Sequence, residues 1–236
     1  MVGNKNECQN GTMQAMKYID KYIEYFYKKF GPSICDEKVP EKVLLEYKEK
    51  FPRTLINYWE EYGWCGYGEG IVWTVNPESY KEVVEEWLKN TPFESIDKYH
   101  LIAIGAFGEM ILWGEKTGNS LTITASHGMI FPSDKTEFIE EDDDYDFLIK
   151  ALFSGMRKTS MDVKDINGEF IFEKVKTLLG ALKPGEIYGF SPSLMMGGDV
   201  NIYSVKKVNA AAHLLFLASL EEKMVMEDIA QILKNK

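Results

Sequence analysis

Reactive and metal-binding residues are scarce in this chain of 236 residues, which has three cysteines and three histidines. The cysteines Cys8, Cys35 and Cys65 form no Cys-x-x-Cys pair, and no histidine lies at ligand spacing from them. A zinc site or a disulfide framework needs such spacing. We therefore predict no metal, no cofactor and no disulfide, as in proteins of the reduced cytosol.

Basic residues are also few, because 27 Lys and Arg stand against 37 Asp and Glu and the formal net charge is −10. Binding to nucleic acid requires a basic face that neutralises phosphates. The charge therefore argues against direct binding of nucleic acid and against anionic membranes. An acidic protein attracts basic proteins, so the composition permits a basic protein partner.

Long apolar runs are absent. The longest strongly apolar stretch, residues 210–220, is about half as long as a membrane span and contains His213. The polar start, residues 1–11, does not resemble a signal peptide. We expect a cytoplasmic, unanchored protein, and its 45% hydrophobic residues are sufficient for a buried core.

Apolar residues at 3.6-residue spacing predict helices in the first third of the chain, and β-branched or apolar runs predict strands in the middle. The predicted helices cover residues 13–30, 40–50, 52–63, 77–87, 145–153, 170–182 and 209–220. The predicted strands cover residues 71–75, 100–107, 110–113, 121–124, 129–131, 187–190 and 201–208, and residues 223–229 fit either structure. The four strands between residues 100 and 131 are expected to form an antiparallel meander.

These elements predict an α+β fold in which a helical N-terminal part leads into a mainly antiparallel sheet with flanking helices. The expected division is a helical domain of residues 1–95 and an α+β domain of residues 96–236, or a single packed unit. Thr91-Pro92 marks the most natural boundary.

A glycine-rich segment follows the third helix and contains Gly66-x-Gly68-x-Gly70. Phosphate-binding loops follow a strand and open a helix, whereas this segment follows a helix and precedes a strand. It is predicted to be a tight connection between helix and strand. Trp64 and Tyr67 within it are either core residues, which is the favoured alternative, or exposed anchors for a partner.

Nucleophilic catalysis needs a Ser or Cys beside an oriented base. Cys65 is not near a histidine in the sequence, and Ser126 and His127 would point to opposite faces if they lie on a strand. No Gly-x-Ser-x-Gly elbow is present. We therefore predict no catalytic residues and no enzymatic activity; an enzyme that uses Cys65 or His127 remains as an alternative.

Seven carboxylates occur among the ten residues 137–146. The run lacks the alternating ligands and the central glycine of a calcium loop. It is interpreted as a solvated segment that caps the next helix, or as a docking patch for a basic partner, which would raise the association rate. The residues predicted to contact a partner are Glu140, Glu141, Asp142, Asp143, Asp144 and Asp146, together with Trp64 and Tyr67.

Two stretches resemble known domains. The pattern Trp59-x-x-Tyr62-Gly63-Trp64, then Gly68-x-Gly70 and Trp73-x-x-Asn76-Pro77-x-x-Tyr80, resembles the GAD-like domain. Residues 100–131, with Ala106-Phe107-Gly108 and Trp113-Gly114, and residues 182–198 resemble the domain that accompanies it. The combination is similar to the immunity proteins that protect bacteria from DNase toxins delivered by type VI secretion.

The resemblance implies a cytoplasmic antitoxin that binds and blocks a cognate, basic nuclease toxin. It implies no catalytic residue and specifies neither the interface nor the oligomeric state. The alternative is a non-catalytic binding module of another kind, for RNA or protein, because GAD domains also occur inserted in tRNA-handling enzymes.

Overall fold

The computed structural model describes residues 20–139, 142–220 and 223–228. Within these ranges the helices are α1 (Lys21–Phe30), α2 (Glu41–Tyr47), α3 (Arg53–Tyr62), α4 (Lys81–Leu88), α5 (Asp142–Gly155), α6 (Phe172–Leu179) and α7 (Ala210–Ala218). The strands are β1 (Ile34–Glu37), β2 (Trp64–Tyr67), β3 (Val72–Thr74), β4 (Tyr99–Gly105), β5 (Glu109–Gly114), β6 (Gly118–Thr124), β7 (Met129–Pro132), β8 (Glu186–Phe190), β9 (Val205–Asn209) and β10 (Met224–Val225).

Eight strands form the main sheet in the order β1-β2-β3-β4-β5-β6-β7-β10. Neighbouring strands are antiparallel except β10, which pairs with β7 in parallel. The strands β8 and β9 form a separate antiparallel pair. The predicted α+β class and the antiparallel meander of β4 to β7 are confirmed.

The main sheet continues across the predicted boundary between residues 95 and 96. Strand β3 precedes the boundary and β4 follows it, and the two pair antiparallel with Trp73 opposite Ile104. The helix α4 also packs against α7 near the end of the chain, where the indole Nε1 of Trp87 donates a hydrogen bond to the carbonyl oxygen of Leu214 at 3.1 Å. Elements from both parts therefore share one set of packed layers.

The core is unusually aromatic. Trp59, Trp87, Trp113 and Tyr188 are each less than 2% exposed. The helices α1 and α3 both pack against α5. Aromatic side chains of this size bury about 150–250 Å² each, so they supply much of the hydrophobic stabilisation.

The glycine-rich segment is not the loop that the sequence predicts. Residues 64–67 form strand β2, which lies between β1 and β3, and the turn is confined to Gly68–Gly70. Gly66 allows this arrangement, since a Cβ atom there would lie 2.9 Å from the indole ring of Trp73 on β3. The absence of a side chain is thus required for close strand packing rather than for a turn.

Other predicted elements also needed correction. The strand β1 was not predicted, because residues 34–37 include two carboxylates and lie at an edge of the sheet. The first predicted helix is described from Lys21 onward, where the side chain of Asp20 accepts hydrogen bonds from the amides of Tyr22 and Ile23; its residues 13–19 lie outside the described part. Helix α7 is buried along one side only, since Phe216 is 47% exposed.

Candidate partner-binding surface

The acidic run lies before and within the first turns of α5, which begins at Asp142. The described carboxylate side chains of the run are those of Glu137, which is exposed, and of Asp144 and Asp146, which are half-buried. Glu140 and Glu141 lie outside the described residues. The predicted contact of this run with a partner stays a prediction.

Asp146 has a role inside the molecule. Its Oδ1 accepts a hydrogen bond from the backbone amide of Thr54 at 2.5 Å, across 92 residues of sequence. Thr54 is the second residue of α3, whose N-cap residue Pro52 provides no side-chain hydrogen bond. A carboxylate at this position satisfies a free amide and interacts favourably with the helix dipole. Asp146 therefore caps a neighbouring helix.

Trp64 and Tyr67 are 5% and 2% exposed, so the structure corrects their interpretation as exposed anchors. Both side chains belong to strand β2, which is buried along its whole length. The ring of Tyr67 packs edge-on against Phe26 of α1 with 4.9 Å between centroids, and Trp64 lies 5.8 Å from Trp59. The favoured alternative, core packing, agrees with these contacts.

An open cleft of about 580 Å³ lies between α5 and the sheet strands β5 and β6. Most of its lining is apolar and includes Ile111, Phe138, Phe147, Leu148 and Met161, and Glu109 also lines it. Phe138 is 63% exposed and Phe147 is 55% exposed. The sequence pattern placed Phe147 on the apolar side of its helix with Leu148 and Phe153, but those two side chains are buried and Phe147 is not. Exposed aromatic side chains around a cleft are typical of binding surfaces.

Glu109 is the one carboxylate among the described residues that line the cleft. Burial raises the pKa of Glu109 to about 7, and the hydrogen bond that Thr124 Oγ1 donates to its Oε2 at 2.8 Å offsets this only in part. Lys135 also lines the cleft, but no cation in the described part of the chain lowers the pKa of Glu109. The carboxyl group is thus desolvated without a compensating positive charge.

The sequence analysis did not predict this cleft, although two features of the sequence point weakly to it. Phe138 and Phe147 flank the acidic run on its two sides, which is unusual for a purely solvated segment. Glu109 begins an apolar strand, where a carboxylate marks either a strand end or a buried polar site. Neither signal shows that the three residues meet, because that depends on how α5 packs on the sheet.

A second groove of about 480 Å³ lies between α2, α4 and the start of β4. Its carboxylates are Glu46, Glu78, Glu85, Glu94 and Asp97, and its lysines are Lys50, Lys81 and Lys98. His100 also lines the groove; its Nε2 lies 2.8 Å from Glu115 Oε1, and burial lowers the pKa of His100. Among its described lining residues this groove provides acidic side chains but no exposed aromatic side chain.

The candidate nucleophiles have unsuitable surroundings. Cys65 is fully buried, and burial raises the pKa of its thiol to about 12, so it is protonated at neutral pH. Ser126 Oγ and His127 Nδ1 do lie 3.0 Å apart, because a 3-10 turn rather than a strand holds them, which corrects the prediction. Ser126 is nevertheless buried beside a cavity of about 10 Å³, which has room for about one water molecule.

In the part of the chain that the structure describes, no three His, Cys, Asp or Glu side chains are grouped as metal ligands would be. Among the same residues, no helix combines the length and the apolar character that are needed to cross a lipid bilayer.

Comparison with known proteins agrees with the resemblance. The GAD-like domain family matches residues 21–127, and the family described as T6SS immunity protein Tdi1, C-terminal, matches residues 146–221. No curated protein is significantly similar in sequence. The solved structure of Atu4351 from Agrobacterium tumefaciens has the same fold, with a TM-score of 0.77 and 22% identity over 86% of this chain and 90% of that chain.

The family matches confirm the predicted recognition. The GAD-like match extends through β6 to residue 127, so residues 100–127 lie within it and not within the match to the second domain. The match of residues 146–221 to an immunity-protein domain suggests a non-catalytic protein, and it supports a role in type VI secretion immunity. In chain order, the protein therefore carries a match to the GAD-like domain and then a match to the C-terminal domain of the type VI secretion immunity protein Tdi1.

Proposed function

We propose that this protein is the cytoplasmic antitoxin of a nuclease delivered by type VI secretion, and that it acts by binding this nuclease directly. The observation that carries the proposal is the match of residues 146–221 to the immunity-protein domain, which follows the GAD-like match in the chain. An immunity protein must meet its toxin where the toxin acts, and the target of a DNase lies in the cytoplasm.

The charge of the chain supports a basic partner. A nuclease binds DNA through a basic surface, and a protein with a net charge of −10 is attracted to such a surface. Complementary charge accelerates association and makes it depend on salt. The same charge opposes direct binding of DNA or RNA, so inhibition would proceed through the toxin and not through competition for nucleic acid.

Co-expression tests the proposal. The chain is produced with the product of the adjacent reading frame, purified on a tag and assayed for DNase activity, since an antitoxin is made alongside its toxin. We expect a stable complex without nuclease activity, and cells that survive the toxin only when the antitoxin is present. A neighbouring nuclease that stays fully active and does not co-purify would contradict the proposal.

The acidic run can be tested within the same complex. Reversal of charge at Asp142, Asp143 and Asp144 should slow association at low salt, and the effect should shrink at about 0.5 M salt, where the Debye length falls below about 5 Å. The matched control reverses Asp36, Glu49 and Glu82, three exposed carboxylates elsewhere. Equal effects of both triple variants would assign the result to net charge, and not to the run.

A further inference from the structure

The cleft between α5 and the strands β5 and β6 combines two features that are unfavourable in a free protein. Two large aromatic side chains at its edge, Phe138 and Phe147, are more than half exposed. One carboxyl group in its lining, that of Glu109, is desolvated without a cation to compensate it. A ligand that covers exposed apolar surface lowers the free energy of the protein in water. A cation that pairs with a desolvated carboxylate does the same.

We propose that this cleft is the docking site for a segment of the toxin that carries an apolar side chain next to a lysine or arginine. The apolar side chain packs against Phe138, Phe147 and Leu148. The cation pairs with Glu109. This inference rests on the proposed function and adds to it the site and the chemistry of the contact.

The position of the acidic run supports a cationic partner. The run lies between Phe138 and Phe147 in sequence, and Asp143 and Asp144 occupy helical positions four residues before Phe147 and Leu148. Positions four apart lie on the same face of a helix. Negative charge therefore precedes the cleft-lining positions on α5, which favours a positively charged segment over a neutral or an acidic one.

Geometry also leaves the cleft accessible to a partner. Phe147 makes an edge-on contact with Tyr22 of α1, at 6.3 Å between ring centroids, and more than half of its side chain remains exposed. The two carboxylate oxygens of Glu109 need not both be released, since Thr124 binds one of them. A docked guanidinium or ammonium group can thus use the carboxylate without breaking the internal hydrogen bond.

The test measures the dissociation constant of the purified toxin complex for four full-length variants. Phe147→Ser, Phe138→Ser and Glu109→Gln change the cleft, and Tyr203→Ser is the matched control, because Tyr203 is 81% exposed and lies outside the cleft. We expect each cleft variant to weaken binding by roughly tenfold or more, as for central interface residues, and the control to change it by less than about twofold. Glu109→Gln keeps the shape of the side chain, so its loss of binding reports charge.

Circular dichroism and thermal unfolding of each free variant show whether it is folded at the binding temperature, and only folded variants are compared. Affinity that is unchanged in all three cleft variants would overturn the inference. If the variants change self-association instead, or if they matter only while residues 1–19 are present, a second copy or the N-terminal segment occupies the cleft and the inference is wrong. Failure of the wild-type protein to bind the toxin at all would instead refute the proposed function.

Discussion

Glu109 gives the protein a measurable dependence of stability on pH. Burial raises its pKa from an ordinary value of about 4.5 to about 7, so the folded state holds a proton that the unfolded state releases between these two values. Stability must therefore fall as the pH rises through this window. The stabilisation is complete below about pH 4.5 and is lost above about pH 7. Glu109→Gln removes the titrating group and keeps the shape of the side chain.

Each pKa unit corresponds to about 1.4 kcal/mol, so the shift makes ionisation of Glu109 oppose folding by about 3 kcal/mol at high pH. Part of this unfavourable free energy is already present at pH 5, because an unperturbed glutamate in the unfolded chain is mostly ionised at that pH. The free energy of unfolding of Glu109→Gln, relative to the wild type, should therefore rise by about 2–3 kcal/mol between pH 5 and pH 8. Urea unfolding of both proteins at a series of pH values measures this difference, and the other titrating groups cancel in it.

The matched control is Glu82→Gln, which changes an exposed carboxylate on α4. Its stability relative to the wild type should vary by less than about 0.5 kcal/mol over the same range. If the Glu109→Gln difference is equally flat, Glu109 is not desolvated, and the cation proposed to pair with it would find an ordinary solvated carboxylate.

Three further predictions concern the fold. Asp146→Ala should destabilise the protein by about 1 kcal/mol in urea unfolding, because it removes the acceptor for the Thr54 amide, while Asp146→Asn should retain part of this; equal stability of the alanine variant would contradict the capping role. Trp87→Phe should destabilise by roughly 2 kcal/mol, since it loses the hydrogen bond to Leu214 and leaves a small cavity. Trp64→Phe should destabilise less, because the indole Nε1 of Trp64 makes no hydrogen bond that the substitution would remove. With Cys8 and Cys35 replaced by serine, Cys65 should resist a thiol reagent at pH 8 until urea unfolds the chain, because it is fully buried and burial raises its pKa to about 12; rapid labelling of the native protein would refute this.

The family and most of the helices and strands followed from the sequence. Stripes at 3.6-residue spacing, such as that of Val83, Val84 and Trp87, depend only on local periodicity, and the structure buries these side chains on α4. The meander was predictable because each strand pairs with its neighbour in the chain across a short turn, as β5 does with β6.

Other predictions were wrong because they used only local sequence patterns. Glycines 66, 68 and 70 suggested a loop, yet strand pairing and the indole ring of Trp73 made residues 64–67 a buried strand. Adjacent Ser126 and His127 were assumed to alternate as on a strand, but a 3-10 turn brings them into contact. In each case, the competing structure is set by neighbours that the local pattern does not contain.

The sequence by itself determined the negative charge, the scarcity of reactive groups and the resemblance to immunity proteins, since these depend on composition and on short patterns. Only the tertiary structure decided that Trp64 and Tyr67 are buried, that Asp146 caps a helix 92 residues away, and that Phe147 and Glu109 share one cleft. The physical reason is that burial and charge compensation depend on contacts between elements far apart in the chain. A residue's type and its near neighbours do not specify those contacts.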